Sequence, residues 1–347
     1  MPDRLIDLSS DTATKPTPEM RRAMAEAEVG DEQKGEDPTV NLLQEMVADL
    51  LGMEAALYLP SGTMCNLIAS RVHTRTGDEI ILDRLSNQYN YEGGSAAGVF
   101  GLSIMAVAGE RGIFTGAQVA DGIRGPSPHA PRTRLVVLEN TMNAGGGAVW
   151  SLDQINDVVQ VARAHGLKLH MDGARLMNAV VASGVAAREF VAGMDTAWID
   201  LSKGLGCPVG GVLAGSRDDM ALALRYKHLL GGAMRQAGII AAAGVYALQH
   251  HVERLAEDHS NARHLARGLA DIPGVLLDPA TIETNIVFFD LDPTGPTAVE
   301  VSNALIAHGV RIGATGGRHR MRAVTHLDIS RADVERAVEV MRTVMVS

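Results

Sequence analysis

Cysteine is scarce in this 347-residue sequence: only Cys65 and Cys207 occur, both in apolar surroundings. So few exclude a disulfide framework and point to a reducing compartment. Basic charge is also in deficit. With Lys+Arg at 31 and Asp+Glu at 41, the net charge is -10, which argues against a nucleic-acid partner. A few arginines can still hold small anionic groups locally. Long hydrophobic runs are missing as well. The stretch 238–248 is too short and too rich in alanine and glycine to span a bilayer, and MPDRLIDLSSDT opens without the apolar core of a secretory leader. These absences predict a cytoplasmic protein with no membrane partner. There is no internal repeat. The 12 histidines form neither an H-E-x-x-H nor a Cys/His cluster, so no metal is expected.

What is present is an ordinary globular composition, 46% apolar and 21% charged, with 37 glycines, several of them in short runs. Apolar, β-rich runs at 79–82, 134–138, 167–171, 196–201 and 209–214 read as strands. Between two of them, 151–165 carries Ile155, Val158, Val159 and Ala162 on one helical face, with Ser151 as N-cap and Gly166 as stop. Thr17-Pro18-Glu19 opens an earlier helix. Strands alternating with helices predict an α/β fold with a mostly parallel sheet covered by helices. Downstream the texture changes. One long helix is expected at 236–258 and another at 260–271, followed by strands at 285–291, 310–314 and 321–327. A final helix is expected from Ser330, with Asp333 completing a capping box, to about 345. The expected organisation is an N-terminal arm (1–16), a large domain (17–250) and a smaller C-terminal α+β domain (251–347).

Three motifs carry chemistry. Ser61-Gly62-Thr63 follows an apolar run and precedes a helix, so its amides, hydroxyls and helix dipole suit a phosphate; many plain strand-to-helix turns look the same. His170-Met171-Asp172 ends an apolar strand, where open α/β sheets place ligands, and Asp172 could pair with a protonated ring nitrogen or simply cap the next helix. Ser202-Lys203-Gly204 follows another such strand. Desolvation among those glycines would favour the free amine that a Schiff base needs, although an exposed loop lysine would fit the same motif.

The order of these motifs resembles that of the fold-type-I (aspartate-aminotransferase-like) pyridoxal-phosphate enzymes, and more narrowly the threonine aldolase branch of the β-eliminating lyases. The matching blocks are DLSSDTATKPT (7–17), GEDPTVN (35–41), PSGTMCN (60–66), ENTMN (139–143), HMDGAR (170–175), LSKGLG (201–206), GGAMRQAG (231–238) and VTHLDIS (324–330). The resemblance implies cleavage of a threonine-like β-hydroxy-α-amino acid to glycine and an aldehyde. It also implies pyridoxal 5'-phosphate linked to Lys203 with Asp172 on its ring nitrogen. Gly62 and Thr63 would hold the phosphate, with Ser61 and Ser202 nearby; Arg235 and either Lys227 or His228 would reach it from a neighbouring subunit. That makes a homo-oligomer expected, a dimer at least and a tetramer by resemblance. Ser10, Arg175 and Arg322 match the positions that hold the substrate carboxylate, and a guanidinium fork suits that task.

The departures from the family pattern fall in the substrate pocket. Asn87 stands where members carry a histidine stacked on the cofactor ring, and an amide cannot act as a general base. Ser9 replaces an arginine, Lys34 a tyrosine and Met142 a histidine. His129, in a proline-containing loop, matches a second family histidine and is the remaining expected acceptor of the β-hydroxyl proton. Lys34 and Asn87 point to a polar, acidic or bulkier substrate side chain. The altered pocket leaves β-elimination, racemisation and a non-catalytic binding relative as competing readings.

Overall fold

The computed structural model describes residues 4–346; the first three residues of the expected N-terminal arm lie outside them. The chain divides into two compact units. One is Pro16–Val252; the other joins Glu253–Ser347 to the N-terminal segment that ends at Lys15.

The larger unit is built on a seven-stranded sheet in the order Ala55–Leu59, Gly211–Gly215, Thr196–Asp200, Lys168–Asp172, Arg132–Glu139, Asp78–Asp83 and Ser103–Val107. Gly211–Gly215 runs antiparallel to both its neighbours, and the remaining pairs are parallel. The strands Asp78–Asp83 and Thr196–Asp200 are buried at every position, as a sheet covered on both faces requires. The crossover helix Leu152–Ala164 begins at Ser151 with a full capping box to Gln154. Both cysteines are buried and unpaired.

In the smaller unit, Ile6–Asp7 pairs in parallel with Val310–Arg311. An antiparallel sheet runs Gly313–Ala314, Arg320–Val324, Ile286–Leu291, Val275–Leu276. Its core joins Ile6 and Leu8 of the arm to Leu265, Phe289, Met321 and Met341. The last helix, Arg331–Val346, opens as expected: Ser330 Oγ accepts from the Asp333 amide (3.2 Å), and Asp333 Oδ2 accepts from the Ser330 amide (2.9 Å).

Three expected elements are corrected. The single helix at 236–258 is two helices, Gly238–His250 and Leu255–Ala270, and the second takes in the one expected at 260–271. No proline or glycine marks the break; His251 is buried with its ring on the Leu205 carbonyl (2.7 Å), which turns the chain. The strand at 310–314 is two short strands with different partners, divided at the buried Ile312. The strand at 321–327 stops at Val324, because the next hydroxyl, on Thr325, bonds the Asp258 carbonyl instead of extending the ladder.

Asp37 joins three segments of the larger unit. It caps helix Pro38–Leu51 by accepting from the Val40 amide (3.0 Å), and it also accepts from Gly30 (3.2 Å) and Gly238 (2.8 Å). The approach to residue 238 is so close that a Cβ there would lie 2.5 Å from the carboxylate, which is why glycine stands there. Asp37→Ala should therefore cost on the order of 3 kcal/mol, since it orphans three backbone donors around a fully buried site. Denaturant unfolding measures this, and a loss below about 1 kcal/mol would contradict the assignment.

Candidate active site

Four parallel strands of the larger unit end on an acid: Asp83, Glu139, Asp172 and Asp200. All lie at the carboxyl edge of the sheet, where α/β folds bind their ligands. Three of them, together with Lys203, form one polar cluster inside apolar walls; Asp83 instead accepts from the backbone amides of Leu85 and Gly109.

Asp172 is 1% exposed. Its Oδ1 accepts from the Ala174 amide (3.0 Å) and its Oδ2 from Asn66 Nδ2 (2.8 Å). Asn66 sits on helix Gly62–His73 and fills all four of its hydrogen-bonding positions. Its Nδ2 donates a second bond to Glu92 Oε1 (2.7 Å), while its Oδ1 accepts from Trp198 Nε1 (2.8 Å) and His170 Nε2 (3.2 Å). An indole N–H can only donate, so the amide has one allowed orientation. Burial drives the His170 pKa down to about 3, which leaves a neutral ring with its proton on Nε2 and Nδ1 against the Thr196 hydroxyl (2.9 Å). Burial raises the Asp172 pKa, opposed chiefly by the charge of Lys203. A cation placed against Asp172 would restore its ionised form.

Lys203 is set by its own loop. Asp200 Oδ1 accepts from the Ser202 amide (2.7 Å) and hydroxyl (2.8 Å), and Oδ2 accepts from Lys203 Nζ (2.7 Å). The ammonium lies 5.7 Å from the centroid of the Trp198 ring. That indole also explains Gly62, where a Cβ would fall 2.2 Å from its Cη2. Glycine is needed here to let the helix meet Trp198. Ser61 caps the same helix on the Met64 amide (3.2 Å), and Ser61 and Thr63 are exposed at its first turn.

Asn87 donates its backbone amide to Glu139 Oε2 (2.6 Å) and its side-chain Nδ2 to Glu92 Oε1 (3.1 Å). Glu139 Oε1 accepts from the Asn143 amide (2.9 Å). Arg175, 5% exposed, lies close enough to Glu139 that its charge counters the upward pull of burial and of Asp172 on that carboxyl. Burial and the Asp172 charge push the Glu92 pKa up to about 8.

The other expected site residues have their own surroundings. His129 is exposed in the loop before Arg132, at the opposite end of the Arg132–Glu139 strand from Glu139, and that strand is roughly 23 Å long at the usual rise per residue. It therefore does not join Lys203 and Asp172 within one chain. Lys34 is exposed in the turn Glu32–Lys34. Lys227 is buried on Glu32 (2.8 Å), with its pKa lowered by burial. His228 is exposed, and Arg235 pairs with Asp31 (3.0 Å). Ser10 and Arg322 belong to the smaller unit, where Ser10 caps the turn Asp11–Ala13 and Arg322 donates to the Ser9 carbonyl (3.0 Å). Sequence reasoning missed Asn66, Glu92, Glu139 and Asp200 as site residues. An asparagine inside the apolar helix run and an acid three residues before Lys203 were usable signals; Glu92, beside two glycines, offered none.

These burials fix a pH profile. Glu92, Glu139 and Asp172 have raised pKa values in the fold, so their stability contribution is complete below the unfolded carboxyl range and is lost as pH rises, through about 8 for Glu92. His170 acts oppositely: its lowered pKa makes stability fall as pH drops below the ordinary imidazole range. The melting temperature should decline from about pH 6 to about pH 8 and level off above that, and Glu92→Gln should flatten the decline. An equally steep decline in the variant would contradict a proton held on Glu92.

Comparison with known proteins agrees with this geometry. The chain matches the beta-eliminating lyase family over residues 7–292. It is 40% identical to low-specificity L-threonine aldolase 1 of Arabidopsis thaliana, covering 99% of this chain and 97% of that protein. It is 41% identical to the low specificity L-threonine aldolase of Escherichia coli strain K12, covering 94% and 95%. Among solved structures, a Leishmania major threonine aldolase superposes with a TM-score of 0.82 at 20% identity, covering 98% of this chain and 99% of that one. The serine palmitoyltransferase of Sphingomonas wittichii gives 0.75 at 21% identity, covering 98% and 87%. At such identities the structures speak for the fold, which is that of the fold-type-I pyridoxal-phosphate enzymes. With nearly the whole chain aligned to relatives at 40% identity, this protein belongs to the threonine aldolase branch of the beta-eliminating lyase family.

Proposed function

We propose that this protein is a pyridoxal-phosphate-dependent aldolase that cleaves a threonine-like β-hydroxy-α-amino acid into glycine and an aldehyde. The observation that carries the proposal is the carboxyl-edge cluster: the amine of Lys203 stands among buried groups with an Asp172 carboxylate fixed by two hydrogen bonds. The full-length relation to proteins named low-specificity L-threonine aldolases supports it.

The residues fit the cofactor. Lys203 offers the amine for its aldehyde, Asp172 a buried carboxylate for its ring nitrogen, and the capped helix start at Ser61, Gly62 and Thr63 a dipole and donors for its phosphate. When bound, pyridoxal phosphate supplies the electron sink that takes up the pair of the broken Cα–Cβ bond. The chain's own residues do the rest. Asp172 would hold the ring nitrogen in its protonated form; burial raises the pKa of its carboxyl, and a cation beside it would favour the ionised form. Asp200 holds the Lys203 side chain through a 2.7 Å bond, with Ser202 securing Asp200. Arg175 would grip the α-carboxylate bidentately and so orient the bonds at Cα. Asn87, tied down at both its backbone and its side-chain amide, shapes the ring face without exchanging protons near neutrality. His129 can receive the β-hydroxyl proton only from a neighbouring subunit, and with His228 and Arg235 it makes homo-oligomerisation, dimeric or tetrameric, part of the same proposal.

The test is incubation with L-threonine, L-allo-threonine, L-phenylserine, L-serine and L-alanine followed by chiral product analysis. Glycine and the matching aldehyde are expected from the hydroxy amino acids. Lys203→Ala should abolish the visible cofactor absorbance, and Asp172→Asn should lower kcat by about 100-fold or more. Glycine from none of the β-hydroxy substrates would overturn the aldolase reading. In that case pyruvate would mark elimination, D-alanine racemisation, and absorbance without turnover a binding relative.

A further inference from the structure

Glu92 has no part in the chemistry above, yet it is built into the same cluster. It is 5% exposed, and its Oε1 alone accepts two bonds, from Asn66 Nδ2 (2.7 Å) and Asn87 Nδ2 (3.1 Å). Asn66 donates its other N–H to Asp172, so one carboxyl oxygen links the acid that faces the ring nitrogen to the residue at the ring-face position. The second oxygen, Oε2, is buried with no hydrogen-bond partner among the described residues. An ionised carboxylate would leave a charged oxygen unsatisfied there, close to Asp172 and Glu139, which is expensive in an apolar site. A carboxylic acid with its proton on Oε2 removes the charge, leaves the smaller cost of a hydroxyl without an acceptor, and keeps Oε1 free to accept both amides.

We propose that Glu92 is a positioning residue for the Asp172 carboxylate: through its shared Oε1 it clamps Asn66 and Asn87 together, so that the ring-nitrogen partner and the ring-face residue are held as one unit. This rests on the proposed cofactor site at Lys203. Without the clamp, both asparagine amides have a buried N–H to satisfy. Asn66 then has reason to rotate, and Asp172 loses one of the two bonds that aim it. The burial-raised pKa of Glu92 agrees with the neutral form. The role therefore requires an acceptor oxygen and the right shape, and it does not require charge.

Three variants of the holoenzyme test it. Glu92→Ala removes the acceptor, Glu92→Leu removes it while keeping the volume, and Glu92→Gln keeps the acceptor without charge. The readouts are the dissociation constant for pyridoxal phosphate and the midpoint of the pH titration of the visible absorbance, with the melting temperature recorded separately. Glu92→Ala and Glu92→Leu should weaken cofactor binding about tenfold and displace the midpoint, while Glu92→Gln should return both close to wild type. Should the alanine variant fail to fold, the leucine variant carries the same comparison. Unchanged binding and midpoint in Glu92→Leu would overturn the proposal, as would a glutamine variant as damaged as the leucine one. Absence of the visible band from wild type would overturn the cofactor reading and this inference together. A normal wild-type band indifferent to all three variants would overturn this inference alone.

Discussion

The site depends on the aim of a single buried carboxylate. Asp172 ends an interior strand, almost wholly removed from water, and the fold spends much of its polar inventory on keeping it still. Asn66 is the means. Its four bonds reach Asp172, Glu92, Trp198 and His170, which come from two strands and a loop of the unit. Burial makes each bond matter more, because an amide or carboxyl that loses its partner there has no water to turn to. Trp198 extends the constraint. The indole that orients Asn66 also lies under the Lys203 ammonium and forces glycine at position 62. Movement at any one of these groups would be felt by the others.

From that constraint the chemistry follows in order. A parallel sheet brings several strand ends to one edge, and here those ends are acids. Acids so placed are stripped of water and, to a lesser degree, repel one another, which raises the pKa values of Asp172, Glu139 and Glu92. Such an edge favours an incoming cation. A protonated ring nitrogen placed against Asp172, as proposed, would satisfy it, while the amine of Lys203 is held at the same edge by Asp200. The cluster suits a cationic ring and a carbonyl group together, as the proposed cofactor would bring, and the chain's membership of the threonine aldolase branch accords with that.

Much of this was legible in the sequence, for physical reasons that can be named. Strands buried on both faces must be nearly all apolar, so 79–82 and 196–201 announced themselves; so did the N-cap at Ser151 and the capping box at Ser330, where side chain and backbone satisfy each other within four residues. Asp172 and Lys203 stood out as polar residues directly after apolar strands. Interactions between residues distant in sequence were not legible. Nothing local marks His251 as the place where a helical run turns, because its reason is a carbonyl at Leu205. Glu92 and Asn66 are 26 residues apart and meet only through the fold. His129 shows the converse: its motif matched, but strand direction puts it at the far end of the sheet, which only topology reveals. Gly62 was read as a phosphate-loop glycine, and its closest physical reason is the ring of Trp198.

The central claim is that Lys203, set against Asp172 at the carboxyl edge, is the residue to which pyridoxal phosphate is joined. Borohydride reduction of the holoenzyme, followed by proteolysis and peptide mass mapping, reads this directly. The account predicts one pyridoxyl adduct per chain, on the peptide containing Lys203. An adduct on any other lysine, or none on a protein that has taken up the cofactor, would contradict it.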